Sequence, residues 1–186
     1  IYKKLGLFEP GVSAALGEID TAMAAGGKPQ AEPGKVLMFT GHMVDVSGKD
    51  PTLRTAAAEA QVVLRPETLA AVIEGRMTKG DVLVVARLAG IAAAKRTPEL
   101  IPLSHPLAIH HAAIDFETDP ATGVIVVTAT IRAFERTGVE MEAMVAAAVA
   151  SLTIYDMCKG KDRSITIGKI SLLSKEGGKS GVYNRI

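Results

Sequence analysis

The stretch AIHHAAIDFETDPATGVIVVTATIRAFE, residues Ala108–Glu135, decides the fold of this chain. It contains two runs rich in isoleucine, valine and threonine, joined by the turn-forming residues Asp119–Gly123. Such side chains favour strands, and a short connection containing Asp, Pro and Gly between two such runs is typical of a hairpin. We therefore predict two antiparallel strands, Ala108–Thr118 and Val124–Glu135.

The segments on either side of this hairpin alternate between strand and helix patterns. Upstream, Pro66 and Glu67 supply first-turn helix signals, and downstream an alanine-rich run has helical periodicity. The predicted order is βααββαβ, which implies an α+β fold with helices packed against an antiparallel sheet. Outside the hairpin the predicted elements are strand Arg54–Leu64, helices Thr68–Glu74 and Val82–Arg96 (the second stopped by Pro98), helix Val139–Lys159 and strand Ser164–Ser174.

The first 42 residues have a different character. An amphipathic helix is predicted at Gly11–Ala25, and Gly26–Gly34 has the glycine and proline content of a linker. Val36–Phe39 is a candidate short strand, and Gly41–Met43 resembles a cloning scar. We predict an N-terminal extension over residues 1–42, to which we assign no function, and a main domain over residues 43–186.

Composition limits the classes of function. With 21 basic and 20 acidic residues the net charge is +1, so neither a nucleic acid nor a membrane is expected as a partner. Cys158 is the only cysteine, which excludes an intrachain disulfide and suits the reducing cytoplasm. The apolar run Ala143–Tyr155 is shorter than the roughly 20 residues of a bilayer span, so a core helix is predicted, and Ile1–Pro10 lacks an export-signal pattern.

Two lysine-bearing segments suggest phosphate binding. Lys175–Gly181, KEGGKSG, offers glycine amides and lysine charges, but the strict phosphate-loop motif fails because Leu173 stands where a glycine is required. A flexible basic tail and a loop that closes over a phosphate both stay open. Lys79 precedes Gly80 and Asp81 at a predicted helix start, which favours anions; a solvated lysine beside an ordinary turn is the alternative.

The histidines give a weak metal signal. His105 precedes Pro106 in a loop between helix and strand, where functional groups are often presented. His110 and His111 follow, but no cysteine set or His-x-x-x-His pair accompanies them. We expect no metal site, and an ordinary surface or core role for His110 and His111.

Acidic residues lie at both ends of the predicted helix Val139–Lys159. Glu140 and Glu142 stand at its start, where capping alone would explain them. Asp156 and Lys159 share a face near its end, either as a plain ion pair or as a partly buried acid–base pair for proton transfer. Glu142 and Asp156 are about 21 Å apart along the helix axis. If both serve one reaction, we expect the site to be shared between subunits.

Nine segments of the chain resemble the MoaC family of molybdenum cofactor biosynthesis. The resemblance keeps one register from Met43 to about Gly181, and the segments around Gly138–Ala143 and Leu152–Met157 are the most specific. The matching segments are MVDVS (43–47), KGD (79–81), AGI (89–91), AKRT (94–97), LIPL (100–103), HPL (105–107), TGVEMEA (137–143), LTIYDM (152–157) and GGKSG (177–181).

The resemblance implies a ferredoxin-like subunit in a homohexamer, a trimer of dimers with active sites between subunits. It also implies that the enzyme converts 3′,8-cyclo-7,8-dihydroguanosine 5′-triphosphate to cyclic pyranopterin monophosphate and pyrophosphate, downstream of the radical enzyme that makes this substrate. Mg²⁺ is expected, if at all, as a companion of the triphosphate. The implied catalytic residues are Asp156, Lys79 and Lys159. The implied substrate-binding residues are Leu103, Ser104, His105, Glu140, Met141, Glu142, Lys175 and Lys179, with Gly177–Gly181 as a mobile loop over the phosphates.

Two departures from the family pattern stand out. Ser104 occupies a position where many members have cysteine, which argues against an essential thiol, and residues 1–42 lie outside the resemblance. A non-catalytic nucleotide-binding scaffold is disfavoured because the lysines, His105 and the acids occur together. A metal-dependent phosphohydrolase is a third hypothesis, and it predicts inhibition by chelators. For the implied chemistry we expect a lysine of lowered pKa working beside Asp156 and Glu142.

Overall fold

The predicted hairpin forms, and its turn is organised by one aspartate. A computed structural model of the chain describes residues 41–186, and in it β2 (Ile109–Asp119) pairs antiparallel with β3 (Val124–Glu135). The Asp119 carboxylate accepts hydrogen bonds from Ala121 N at 3.0 Å and Thr122 Oγ1 at 2.5 Å. Gly123 closes the turn at a φ of +73°, a value that glycine adopts without strain.

Three further strands extend the sheet. They are β1 (Thr52–Val63), β4 (Thr166–Glu176) and the two-residue β5 (Tyr183–Asn184), and the strand order is β2-β3-β1-β4-β5 with every pair antiparallel. Alternate residues of β1 are fully buried, and most of them are small: Ala56, Ala58, Ala60 and Val62. Because these side chains are short, helices can pack close to this face of the sheet.

Four helices complete the domain, and the longest is its core. They are α1 (Pro66–Ile73), α2 (Val82–Ala94), α3 (Thr97–Leu100) and α4 (Glu140–Cys158). α4 contacts β1, β3 and β4 on one side and α2 on the other. A Cβ atom on Gly90 of α2 would lie 3.0 Å from Ala146 O and 3.3 Å from Ala150 Cβ, so the two helices approach as closely as a glycine allows.

The apolar character of α4 follows from this position. By length and composition alone it passes the test for a membrane-spanning helix, the one helix among residues 41–186 that does. Yet Ala143, Ala146, Ala150 and Ile154 are fully buried within the domain. A helix that packs between a sheet and another helix needs apolar side chains on most of its surface, so the core helix predicted from the sequence is confirmed.

The predicted α+β fold is confirmed, with corrections in detail. The observed order is βαααββαββ: the prediction βααββαβ omitted α3 and β5. Pro98 does not simply stop a helix, because α2 ends at Ala94 and Pro98 lies in the first turn of α3, where its missing N–H costs nothing. Without β5, the sheet has the strand order of a ferredoxin-like fold. The predicted helix Gly11–Ala25 and strand Val36–Phe39 lie outside the described residues.

Candidate functional site

A basic cavity of about 580 Å³ opens where β1 begins and β4 ends. Five basic and three acidic side chains are among its lining residues, so a polyanion would find a favourable field there. The charged lining residues are Lys49, Arg54, Arg136, Lys175 and Lys179, with Asp50, Glu140 and Glu176.

Glycines allow the segment after β4 to fold closely around β1. Gly177 adopts a φ of +94°, and a Cβ atom there would collide with the backbone carbonyl of Leu53. Thr52 Oγ1 donates to Gly177 O at 2.5 Å, and a Cβ atom on Gly178 would collide with the guanidinium of Arg54. The chain then returns to pair as β5 with β4. In the structure the glycine-rich stretch therefore forms a wall of the cavity, an arrangement that favours the phosphate-loop interpretation over the flexible tail.

Arg54 and Lys175 are held in place within this cavity. The Arg54 guanidinium donates to the carbonyl oxygens of Glu135 at 3.0 Å and Arg136 at 3.2 Å. Lys175 Nζ lies 3.6 Å from Glu140 Oε1 and also donates to Ser180 Oγ. Fixed cations of this kind lose little conformational entropy when an anion binds.

A smaller cavity of about 270 Å³ adjoins the basic one, because Thr137, Gly138 and Glu140 line both. Its remaining lining residues are Leu103, Ser104, His105, Leu107, Met141 and Glu142. Six of the eight predicted substrate-binding residues therefore line one cavity, and Lys175 and Lys179 line its neighbour.

Glu142 is a buried carboxyl at this smaller cavity. Its side chain is 2% exposed, and Oε1 has no hydrogen-bond partner among the described residues. Burial raises the pKa of Glu142 above its ordinary value, and the nearby Glu140 raises it further, while hydrogen bonds from its own backbone amide and from Ser104 oppose the change. A buried carboxyl with a raised pKa holds its proton more readily than an exposed one, which suits it to proton exchange.

A separate cluster of Lys79, Asp156 and Lys159 lies at the far end of α4. The Asp156 carboxylate contacts Lys79 Nζ at 2.8 Å and Lys159 Nζ at 2.7 Å. Hydrogen bonds and charge from Lys159 and then Lys79 lower the pKa of Asp156 to about 2, and Asp156 in turn raises the pKa of Lys159. Asp156 and Lys159 are therefore both charged at neutral pH.

Local structure explains how Lys79 reaches this cluster. Gly80 adopts a φ of +96°, and the Asp81 carboxylate caps α2 by accepting from Leu83 N and Val84 N. Lys79 Nζ also donates to Asp156 O at 2.9 Å, so it bridges the start of α2 and the end of α4. Lys79 is thus an ion-pair partner of Asp156, not the simply solvated lysine of the alternative interpretation.

The single chain bears on two sequence-based expectations for this cluster. The Asp156–Lys159 pair is about half exposed in the single chain, at 54% and 52% of the two side chains, so it is more open to solvent than the partly buried interpretation expected. The expected lysine of lowered pKa is not Lys159, because the neighbouring carboxylate raises the pKa of that amine.

The structure therefore divides the predicted residues into two groups. Glu142 and Asp156 lie about 21 Å apart along α4, so the cavity residues and the lysine–aspartate cluster occupy opposite ends of one helix. Each group is internally close, and the single chain does not bring the two together.

Sequence reasoning missed several residues of the basic cavity. Arg54 and Arg136 carry no recognisable motif, and they come together only through the pairing of β1 with β3. Arg54 is nevertheless conspicuous as the only basic residue of the alanine-rich strand β1, which is the one signal that could have marked it. Thr137 and Gly138 lie in the segment TGVEMEA, residues 137–143, which carries part of the family resemblance.

The histidines show no metal-binding arrangement. Within residues 41–186 no three His, Cys, Asp or Glu side chains lie close enough together to hold an ion. His110 and His111 are exposed on β2, where His110 Nδ1 accepts from Phe134 N at 3.4 Å. His105 instead lines the smaller cavity, and its Nε2 lies 2.8 Å from Val44 O.

Comparison with known proteins gives one consistent result. The model of the MoaC family matches residues 43–178. Cyclic pyranopterin monophosphate synthases from Geotalea uraniireducens, Geobacter metallireducens and Geobacter sulfurreducens are 79%, 77% and 75% identical to this chain over 143 residues. In each case the similarity covers 77% of this chain and 89% of the relative.

Proposed function

Because the chain belongs to the MoaC family, we propose that it is a cyclic pyranopterin monophosphate synthase of molybdenum cofactor biosynthesis. The observation that carries the proposal is the 75–79% identity to three synthases over 143 residues. As a phosphorus–oxygen lyase, the enzyme converts 3′,8-cyclo-7,8-dihydroguanosine 5′-triphosphate to cyclic pyranopterin monophosphate and pyrophosphate.

The basic cavity is the proposed site of the triphosphate. Closing the cyclic phosphate joins a substrate hydroxyl oxygen to the α-phosphorus and breaks the bond from that phosphorus to the oxygen that leaves with pyrophosphate. Negative charge accumulates on the leaving group, and the cations of Arg54, Lys175 and Lys179 are suited to stabilise it. The volume of about 580 Å³ is in the range of small-molecule sites.

The smaller cavity is the proposed site of the purine-derived ring system. Opening and rebuilding this ring moves several protons, and Glu142 is placed to exchange them because burial keeps its pKa raised. Glu140 lies between the two cavities and pairs with Lys175. Glu140 can therefore contact both the triphosphate and the ring system of the substrate.

The Lys79–Asp156–Lys159 cluster is the proposed catalytic half supplied by a neighbouring subunit. In the single chain it is half exposed and about 21 Å along α4 from Glu142. Two charged lysines around one carboxylate carry net positive charge, which suits them to the same anionic substrate. A homohexamer, built as a trimer of dimers, would let the cluster of one chain meet the cavities of another.

Several further features belong to this proposal. Mg²⁺ would enter with the triphosphate: it prefers phosphates plus one or two carboxylates, and Asp50 and Glu176 of the basic cavity fit that role. The substrate would come from the radical enzyme that cyclises GTP. We place the enzyme in the cytoplasm, a location supported by Cys158 being a buried free thiol.

Incubation of the protein with the cyclised GTP derivative, followed by mass spectrometry, tests the function. We expect cyclic pyranopterin monophosphate and pyrophosphate from the parent, and a loss of about 100-fold or more in rate for Lys159→Ala. Lys161→Ala, two residues away and exposed, is the matched control and should keep the parental rate. A parent that makes no product would overturn the proposal.

A further inference from the structure

A short segment before β1, Met43–Asp50, contacts both cavities; we call it the strap. Its Val44 carbonyl oxygen lies 2.8 Å from Nε2 of His105, which lines the smaller cavity. The Ser47 carbonyl accepts from the Arg136 guanidinium, which lines the basic cavity. The strap is therefore anchored to one residue of each cavity.

The strap has a defined conformation of its own. Ser47 N donates to Asp45 Oδ1 at 2.8 Å, and Lys49 N donates to Val46 O at 3.1 Å. These two bonds form consecutive turns, and Lys49 then joins the lining of the basic cavity. A segment ordered in this way can hold the Val44 carbonyl at a fixed position.

The contact with Val44 determines which nitrogen of His105 carries the proton. A backbone carbonyl oxygen has lone pairs and no hydrogen, so Nε2 of the ring must be the donor. In a neutral imidazole the other nitrogen, Nδ1, is then an acceptor. Nδ1 makes no hydrogen bond to any residue between 41 and 186 in the structure.

We propose that the strap is a positioning element, in which the Val44 carbonyl fixes His105 as its Nε2–H tautomer and leaves Nδ1 as the atom that accepts a hydrogen bond or a proton from substrate. The proposal rests on the proposed function for the identity of that substrate. The ring N–H and hydroxyl groups of that substrate can donate hydrogen bonds to an unprotonated imidazole nitrogen. His105 would then act through Nδ1, and Val44 through His105.

The tautomer is measurable without substrate. In the full chain with ¹⁵N-labelled histidine, long-range ¹H–¹⁵N correlation distinguishes protonated from bare ring nitrogens, and loss of one signal set in His105→Asn assigns His105 among the four histidines. We expect a bare Nδ1 and a protonated Nε2 whose hydrogen exchanges slowly with water. In the Val44→Gly/Val46→Gly variant, which loosens the strap, that hydrogen should exchange faster. An Nδ1–H tautomer in the parent would overturn the proposal.

The substitution His105→Gln distinguishes the proposed role of Nδ1 from simple anchoring of the strap. In His105→Gln the side-chain amide can still donate to Val44 O, but no acceptor remains at the Nδ1 position. If His105 only anchors the strap, this variant should turn over like the parent. If Nδ1 accepts from substrate, kcat should fall about 100-fold while the melting temperature stays near that of the parent.

The outcomes separate this inference from the proposed function. If the parent protein makes no product, the proposed function is overturned, whichever tautomer His105 adopts. If the parent makes product and His105→Gln keeps the full rate, only the proposed role of Nδ1 is overturned.

Discussion

Glu140 and Asp156 lie on one helix, Glu140–Cys158, about 24 Å apart along its axis. The first belongs to the two adjoining cavities and the second to the lysine cluster. Because α4 is buried between the sheet and α2, it is a rigid spacer between the two groups. A reaction that needs both groups therefore needs two chains.

Asp156→Asn should lower activity far more than stability. The carboxylate holds Lys79 and Lys159 together, but its side chain is 54% exposed, and solvent-exposed ion pairs contribute little to folding. We expect turnover to fall about 100-fold with a nearly unchanged melting temperature. Steady-state kinetics and thermal denaturation on one preparation measure both. A variant that unfolds at a much lower temperature would indicate a structural role instead.

Gly138→Ala should disturb substrate binding without unfolding the protein. A Cβ atom at this position would collide with the Glu140 carboxylate, a flexible group that can move aside. That movement would break the contact of Glu140 with Lys175 and misplace the carboxylate by about 1 Å, enough for a loss in kcat/KM of about 10- to 100-fold. Gly160→Ala is the control, since nothing lies within 4 Å of a Cβ atom there. Equal kcat/KM for the two variants would contradict this account of Glu140.

Gly90→Ala should destabilise the fold. The new methyl group would lie 3.0 Å from Ala146 O and 3.2 Å from Ile114 Cγ1, in a core that cannot easily give way. Overpacking costs about 1–3 kcal/mol, and the higher helix propensity of alanine offsets about 1 kcal/mol of this. We expect a net loss of about 1 kcal/mol in the free energy of unfolding, measured with denaturant. A stabilised variant would mean that α2 and α4 can separate at little cost.

Asp162 makes the stability depend on pH. Its side chain is 1% exposed, and burial alone would raise its pKa, but hydrogen bonds from Arg65 N and from Ser164, with the charge of Arg65, hold the pKa at about 2. Because the folded pKa lies below the ordinary 3.8, the carboxylate stabilises the fold above pH 4, and this contribution disappears as the pH falls towards 2.

Asp162→Asn tests that dependence. We expect a loss of about 2 kcal/mol at pH 7 and a smaller difference from the parent at pH 3, from unfolding curves at both values. Asp50→Asn, at an exposed carboxylate, is the control for the loss of one negative charge. A difference that does not change between pH 7 and pH 3 would show that Asp162 acts through packing alone.

The fold was predictable because its signals are local. The hairpin around Asp119 and the helix Glu140–Cys158 follow from strand-forming runs, turn residues and helical periodicity, and their observed bounds lie within one residue of the predicted ones. The elements α3 and β5 were missed because four-residue and two-residue elements have too few positions to show a period.

The site was predictable only in part. Lys79 and Asp156 were both candidates, but their ion pair joins residues that are 77 positions apart, and only tertiary packing creates it. Arg54 and Arg136 had no motif at all, because their position in the basic cavity comes from the pairing of β1 with β3. The burial of Glu142, which raises its pKa, also depends on the surrounding fold.

Mixing two inactive variants tests most directly whether the site is completed between chains. Lys159→Ala disables the Lys79–Asp156–Lys159 cluster, and Lys175→Ala disables the basic cavity. Each variant alone should be nearly inactive. After unfolding and refolding together in equal amounts, about a quarter of the sites would combine an intact cluster with an intact cavity from another chain, so about a quarter of the parental activity should return. If the mixture stays as inactive as its components, both halves must come from the same chain, and the account is contradicted.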